Sequence, residues 1–179
     1  MVACALFLAS CSRTVNLPSY GDVPAFTLTA QDGKEFSSQV LKGNVWVAEF
    51  MFTTCTGPCP RMNSQMRQVQ NSTRDLSNVR LVSFTVDPGH DTPPVLSDYA
   101  RHFQAEAGRW YFLTGATQTL NHLDRDVFKL GEVDGSLQHS TRFVLVDRQA
   151  RIRGYYLSSE SGAVPRLIAD VKALAKEPS

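Results

Sequence analysis

Val45-Trp46-Val47-Ala48-Glu49-Phe50-Met51-Phe52, running directly into Thr53-Thr54-Cys55-Thr56-Gly57-Pro58-Cys59-Pro60, decides the fold. The first eight residues are almost continuously apolar, the pattern of a short strand covered on both faces. Pro58 and Pro60 then suit the first turn of a helix, where no N–H is needed. Beyond them Met62, Met66 and Val69 recur at four and three residues, one apolar face of that helix. Arg80 to Val86 repeats the buried-strand character. The unit is therefore strand, loop, helix, strand.

Outward from this unit the alternation continues. Upstream, Phe26 to Thr29 and Glu35 to Ser37 flank the turn signal Asp32-Gly33, which predicts an N-terminal β-hairpin. Downstream, Val95, Leu96, Tyr99 and Phe103 mark one face of a helix within 93–105, and Trp110 to Leu113 is a short strand. Leu120, Leu123, Val127 and Leu130 mark another helix. Phe143 to Val146 and Ile152 to Leu157 pair across a turn, and Val164 to Ala175 closes with a helix carrying Leu167, Ile168, Val171 and Leu174. The class is α/β: a central mixed sheet flanked by helices, parallel at its centre with an antiparallel hairpin on one side. No repeat, low-complexity tract or internal linker divides it, and the body is expected over 23–176.

A chain of 179 residues with 42% hydrophobic and 20% charged residues suits one ordinary domain. Eighteen Lys and Arg against 17 Asp and Glu leave a net +1, too weak a field to hold nucleic acid. No apolar run reaches the roughly 18 to 20 residues of a membrane-spanning helix. Ala3 to Ser10 is a short apolar stretch ending in small residues, so 1–10 is expected to be a signal peptide. Leu8-Ala9-Ser10-Cys11 resembles the lipobox of bacterial lipoproteins, in which Cys11 would be acylated after cleavage and 11–22 would form a polar tether. No basic residue precedes the apolar stretch, as a start codon placed too late would explain. The expected location is the bacterial cell envelope, periplasmic or on the outer face of the inner membrane, with membrane contact only through that lipid. Cys4 would be discarded, leaving Cys55 and Cys59 as the thiols.

Those two cysteines sit where a buried strand gives way to a helix, and reactive groups collect at such strand ends in open α/β sheets. The positive end of the helix is expected to lower thiol pKa values, favouring metal binding and nucleophilic attack. A spacing of four also lets the pair close a disulfide. An inert disulfide or two buried thiols would be the structural alternative, although so short a loop restrains the unfolded chain little. A third ligand has four histidines to come from. His102 and His122 fall at helix edges. His90 lies in the loop Asp87-Pro88-Gly89-His90-Asp91-Thr92-Pro93 and either borders the site or is a surface histidine. His139 stands just before the strand at Phe143, in a loop (135–141) long enough to fold over the cysteines.

Three runs together resemble the Sco (SenC) family of copper proteins: Phe52-Thr53-Thr54-Cys55 to Cys59-Pro60, Thr85-Val86-Asp87-Pro88 with Asp91-Thr92-Pro93, and His139-Ser140 to Phe143-Val144-Leu145-Val146-Asp147. The likeness extends over about Val23 to Leu174. It implies a thioredoxin-like fold with inserted elements, and a copper site of Cys55, Cys59 and His139. It further implies delivery of copper to the dinuclear copper centre of cytochrome c oxidase, through transient docking on the acceptor subunit, with another copper chaperone as a candidate donor. Gln138 departs from an acidic residue frequent in the family before the histidine, and His90 replaces residues that are often charged.

The chemistry agrees. Two thiolates and one imidazole suit Cu(I) and can take an extra ligand as Cu(II), whereas zinc would need a fourth donor, such as water. Oxidation of the cysteines would release the ion. Asp87 and Asp91 are candidates to orient a ligand or the neighbouring loop, or are turn and N-cap aspartates. Met62 and Met66, at helical spacing, read as core, as do Trp46 and Trp110. The competing function is a thiol:disulfide oxidoreductase that reduces the acceptor's cysteines, with Cys55 and Cys59 as the redox pair. Three residues between the cysteines, and Ser140-Thr141-Arg142 where thioredoxin-type enzymes place a proline, weigh against it. A peroxidase using Cys55 lacks an arginine-based peroxide pocket.

Overall fold

The structure is a computed structural model and describes residues 16–131 and 140–177. One seven-stranded sheet organises it, in the order β2-β1-β5-β4-β3-β6-β7. The strands are β1 (Thr27–Ala30), β2 (Glu35–Ser37), β3 (Val45–Met51), β4 (Val79–Thr85), β5 (Trp110–Thr114), β6 (Arg142–Val146) and β7 (Ile152–Leu157). Strand β4 runs parallel to β3 and β5. Strand β6 is antiparallel to both β3 and β7. The expected N-terminal hairpin also joins this sheet, because β1 pairs antiparallel with β5 through Thr29 and Thr114. The sheet is therefore antiparallel at both flanks of its parallel centre. Gly33 takes a φ of +78° in the hairpin turn, where a side chain would be strained.

Strand β3 is buried along its whole length, as a near-continuous apolar run requires. Val45, Val47 and Met51 face a core built with helices α1 (Cys59–Ser72), α2 (Pro93–His102) and α4 (Ala163–Ala175). Trp46, Ala48 and Phe50 face a second core with Phe26, Phe84, Phe128 and Leu123. Met62 and Met66 are fully buried, consistent with packing, and so are Trp46 and Trp110.

The helix expected through Leu120 to Leu130 differs in form. Helix α3 (Thr117–Asn121) passes into a π-helical turn over His122–Val127, where the Phe128 N–H donates to the Leu123 carbonyl. The wider turn advances the register by one residue. Phe128 rather than Val127 is consequently fully buried, and Asp124 is turned inward.

Part of the expected 11–22 tether is fastened to the body. The Tyr20 N–H donates to the Ile152 carbonyl, the Ile152 N–H donates to the Gly21 carbonyl, and Leu17 packs against the first core. Arg153 donates to the carbonyls of Pro18 and Leu17 at 3.0 and 2.7 Å and to Asp147 at 2.8 Å. Burial acts to raise the Asp147 pKa, but hydrogen bonds from the Arg151 and Gln149 backbone and from Arg153 and Arg151 win and lower it. Residues 1–15, which hold Cys4, the apolar stretch and Cys11, lie outside the described residues.

Candidate metal centre

The carboxyl ends of β3 and β4 lie side by side, pairing Met51 with Thr85, and the two candidate motifs leave from them. After β3 the chain turns: the Cys55 N–H donates to the Phe52 carbonyl at 3.3 Å. Helix α1 then begins at Cys59, with the Met62 N–H donating to Pro58 and a proline in its first turn. Cys55 thus precedes the helix, and Cys59 opens it. Gly57 does not need glycine for its backbone angles. Its place is close to the first sulfur, since a Cβ there would stand 3.9 Å from Cys55 Sγ.

Neither cysteine is in a disulfide; Cys55 is half-buried and Cys59 has no exposed surface. The expectation that the helix end lowers both pKa values fails for Cys59. Burial pushes its thiol well up; its hydrogen bond with Cys55 and the nearby charges of Cys55 and Glu49 add to this, and the Phe52 backbone N–H only partly offsets them. Desolvation of the charged form outweighs the helix end here. Cys59 therefore holds its proton more firmly than an exposed thiol would. The Asn63 amide, also buried, donates to the Cys59 carbonyl and to Tyr99 Oη, tying α2 to the first turn of α1.

Asp91 is the residue that holds the loop ahead of Cys55. Its carboxylate, fully buried, accepts the Thr53 N–H (3.2 Å) and the hydroxyls of Thr53 and Thr85, both at 2.5 Å. Thr85 Oγ1 in turn accepts the Asp87 N–H, and the Asp87 carbonyl accepts the Asp91 and His90 N–H groups. Asp91 therefore ties the loop ahead of Cys55 to the end of β4, while Asp87 acts through its backbone in shaping the turn. His90 sits beside this knot, with Nδ1 3.1 Å from Asp91 and 3.4 Å from Thr53 Oγ1. His102 and His122 are exposed on their helices, the latter paired with Asp126.

Glu49 was not singled out by its sequence pattern, though a lone charge inside an otherwise apolar strand is the signal that marks it. It is fully buried; Oε1 accepts the Ser83 hydroxyl, and Ser83 accepts the Trp110 indole N–H. Oε2 has no hydrogen-bond partner among the described residues. Desolvation raises its pKa to about 8, so the neutral acid prevails at pH 7.

His139 and Gln138 lie outside the described residues. Among the described residues no three His, Cys, Asp or Glu side chains converge into a complete metal cage. The thiol pair itself fits a soft ion: two sulfurs outside any disulfide, one reachable from solvent, where β3 gives way to α1.

Comparison with known proteins places these features in a lineage. The SCO1/SenC family matches residues 19–176. A SCO1 protein homolog of Bacillus subtilis (strain 168) is 33% identical, over 94% of this chain and 91% of its own length. The structure of BsSco, described as a member of the Sco family of cytochrome c oxidase assembly proteins with a disulfide switch, is 32% identical with a TM-score of 0.77, covering 92% of this chain and 99% of that one. The Bradyrhizobium japonicum ScoI structure, with copper bound, shares the thioredoxin-like fold at a TM-score of 0.71 and 23% identity, over 86% and 99% of the two chains.

Proposed function

Since the chain belongs to the SCO1/SenC family, we propose that it is a copper metallochaperone that receives copper on Cys55 and Cys59, with His139 as the third ligand, and passes it to a respiratory oxidase. The carrying observation is the thiol pair: neither cysteine is in a disulfide, both stand at one strand-to-helix turn, and only one is open to solvent. Thiolates and imidazole select Cu(I), and a set short of four protein donors leaves the ion exchangeable. That combination serves hand-over better than storage. Copper bound to ScoI and the oxidase-assembly role given for BsSco support the same reading.

The acceptor is expected to be the oxidase subunit that bears the dinuclear copper centre, docked transiently, with a second copper chaperone as donor. The Leu8-Ala9-Ser10-Cys11 motif supports a lipid on Cys11, which would hold the protein at the outer face of the inner membrane.

Anaerobic Cu(I) titration of the reduced protein tests the site. One equivalent should bind tightly, and Cys55→Ser, Cys59→Ser or His139→Ala should each lose that affinity. Retention of one-to-one binding by all three variants rejects it. The unequal exposure of the two thiols, Cys55 half-buried and Cys59 covered, also supports a second reading, an attacking and a resolving thiol that reduce the acceptor's disulfide. Under that reading His139→Ala spares thiol–disulfide exchange, and copper only inhibits it.

A further inference from the structure

His90 has its ring fixed in a way that leaves one nitrogen free. The Asp91 carboxylate already accepts hydroxyl protons from Thr53 and Thr85, so it acts as an acceptor toward His90, whose Nδ1–H donates to it at 3.1 Å. That bond selects the tautomer whose lone pair is on Nε2. A carboxylate on the remote nitrogen is also the usual support of an imidazole that binds metal, because it fixes the ring and raises its basicity. The His90 side chain is 50% exposed, while its carboxylate partner is fully buried.

Its position relative to the sulfurs is equally informative. Nδ1 lies 3.4 Å from Thr53 Oγ1, and Thr53 is two residues before Cys55, at most about 7 Å of backbone. Exposure falls in order from His90 to the half-buried Cys55 to the fully buried Cys59. An ion arriving from solvent or from a partner meets the imidazole first and the inner sulfur last. Because no three donors converge among the described residues, His90 is not part of a finished cage in this conformation.

We infer that His90 is a receiving ligand for Cu(I), taking the ion on Nε2 at the rim and passing it to Cys55 and Cys59. The inference rests on the copper-binding reading of that thiol pair. The step is ligand exchange without redox change: a Cu–Nε2 bond forms as a bond to the donor breaks, then Cu–S bonds form as Cu–Nε2 breaks. Each thiol loses its proton to solvent, and copper stays Cu(I) throughout.

Stopped-flow transfer of Cu(I) from its bicinchoninate complex to the reduced full chain tests this, with equilibrium affinity measured in parallel. His90→Asn keeps an amide donor for Asp91 but has no soft nitrogen, and loading is expected to slow about tenfold, the scale on which a metal ligand's surroundings act. Its affinity should stay within about threefold. His90→Met offers a thioether to Cu(I) but no donor to Asp91, and it should restore fast loading. Slow loading by both variants means that His90 works through Asp91 as a loop support, and overturns the inference. Unchanged rates in both, or an affinity loss in His90→Asn as large as its rate loss, overturn it too. If the wild type binds Cu(I) equally well with Cys55 and Cys59 replaced by serine, the underlying reading has failed instead, and that result is separate from any rate.

Discussion

Thr53, at the start of the cysteine loop, donates its hydroxyl to Asp91 across 38 residues of chain, and the Thr53 N–H donates to the same carboxylate. Two parallel strands end side by side, and this bond joins the loops that leave them. Thr53→Val keeps the shape and removes one donor from a buried carboxylate. A loss of about 1–3 kcal/mol is expected in urea unfolding. Copper affinity should fall with it, because the loop ahead of Cys55 loses its fixed point; competition against a Cu(I) chelator reads this.

Cys59 holds its proton well above the ordinary thiol range, chiefly because it is buried. Metal binding must expel that proton, so Cu(I) affinity should rise with pH through neutrality, by up to about tenfold per unit for each proton released. Cys59→Ser should lower the slope of log Kd against pH by one proton. A slope identical to wild type would place the titrating thiol elsewhere.

Glu49 has a raised pKa of about 8 in the fold against 4.5 as a free side chain, because burial disfavours its charge. Between these values the folded chain binds a proton that the unfolded chain has lost, so stability falls as pH rises through that window. The limit is about 1.4 kcal/mol per unit. Glu49→Gln removes the ionisable group and should flatten the profile from pH 5 to 8, leaving the variant more stable than wild type at pH 8. Urea midpoints at several pH values measure it, with Trp110 as the fluorescent reporter.

Arg153 joins Asp147 to the carbonyls of Leu17 and Pro18 and is almost fully buried. Arg153→Met leaves Asp147 with Arg151 and strips two backbone acceptors of their donor. A cost of about 3 kcal/mol is expected, within the range for breaking a buried pair. Limited proteolysis should then cut within 16–22 before the rest of the chain unfolds.

The strand–loop–helix unit was legible because its signals are local: an unbroken apolar run, two prolines at a helix start, and methionines four apart. The π-helical turn was not, since inserting one residue into a helical register leaves no mark in the order of Leu120, Leu123 and Val127; only packing shows that Phe128 takes the buried place. The cysteine pair was evident from spacing, but the direction of the Cys59 shift was not. A helix end can be read from sequence, whereas the depth at which a sulfur is covered depends on α2 and β3 arriving around it. Asp91 was one of two equal aspartates in the motif. Threonines at 53 and 85 became its partners through the pairing of β3 with β4, a contact between distant segments.

The fastening of residues 17–22 along β7 sets a length. With the proposed acyl chain on Cys11, only five residues, six backbone steps, separate the lipid-bearing cysteine from Leu17, the first side chain packed on the body among the described residues. Fully stretched they reach about 20 Å, against about 40 Å had all of 11–22 been free. The globule would then patrol a shell about half as deep above the bilayer. Cargo exchange would be confined to thiols presented close to the lipid headgroups, and lengthening this leash by a dozen flexible residues would change which depths it can serve.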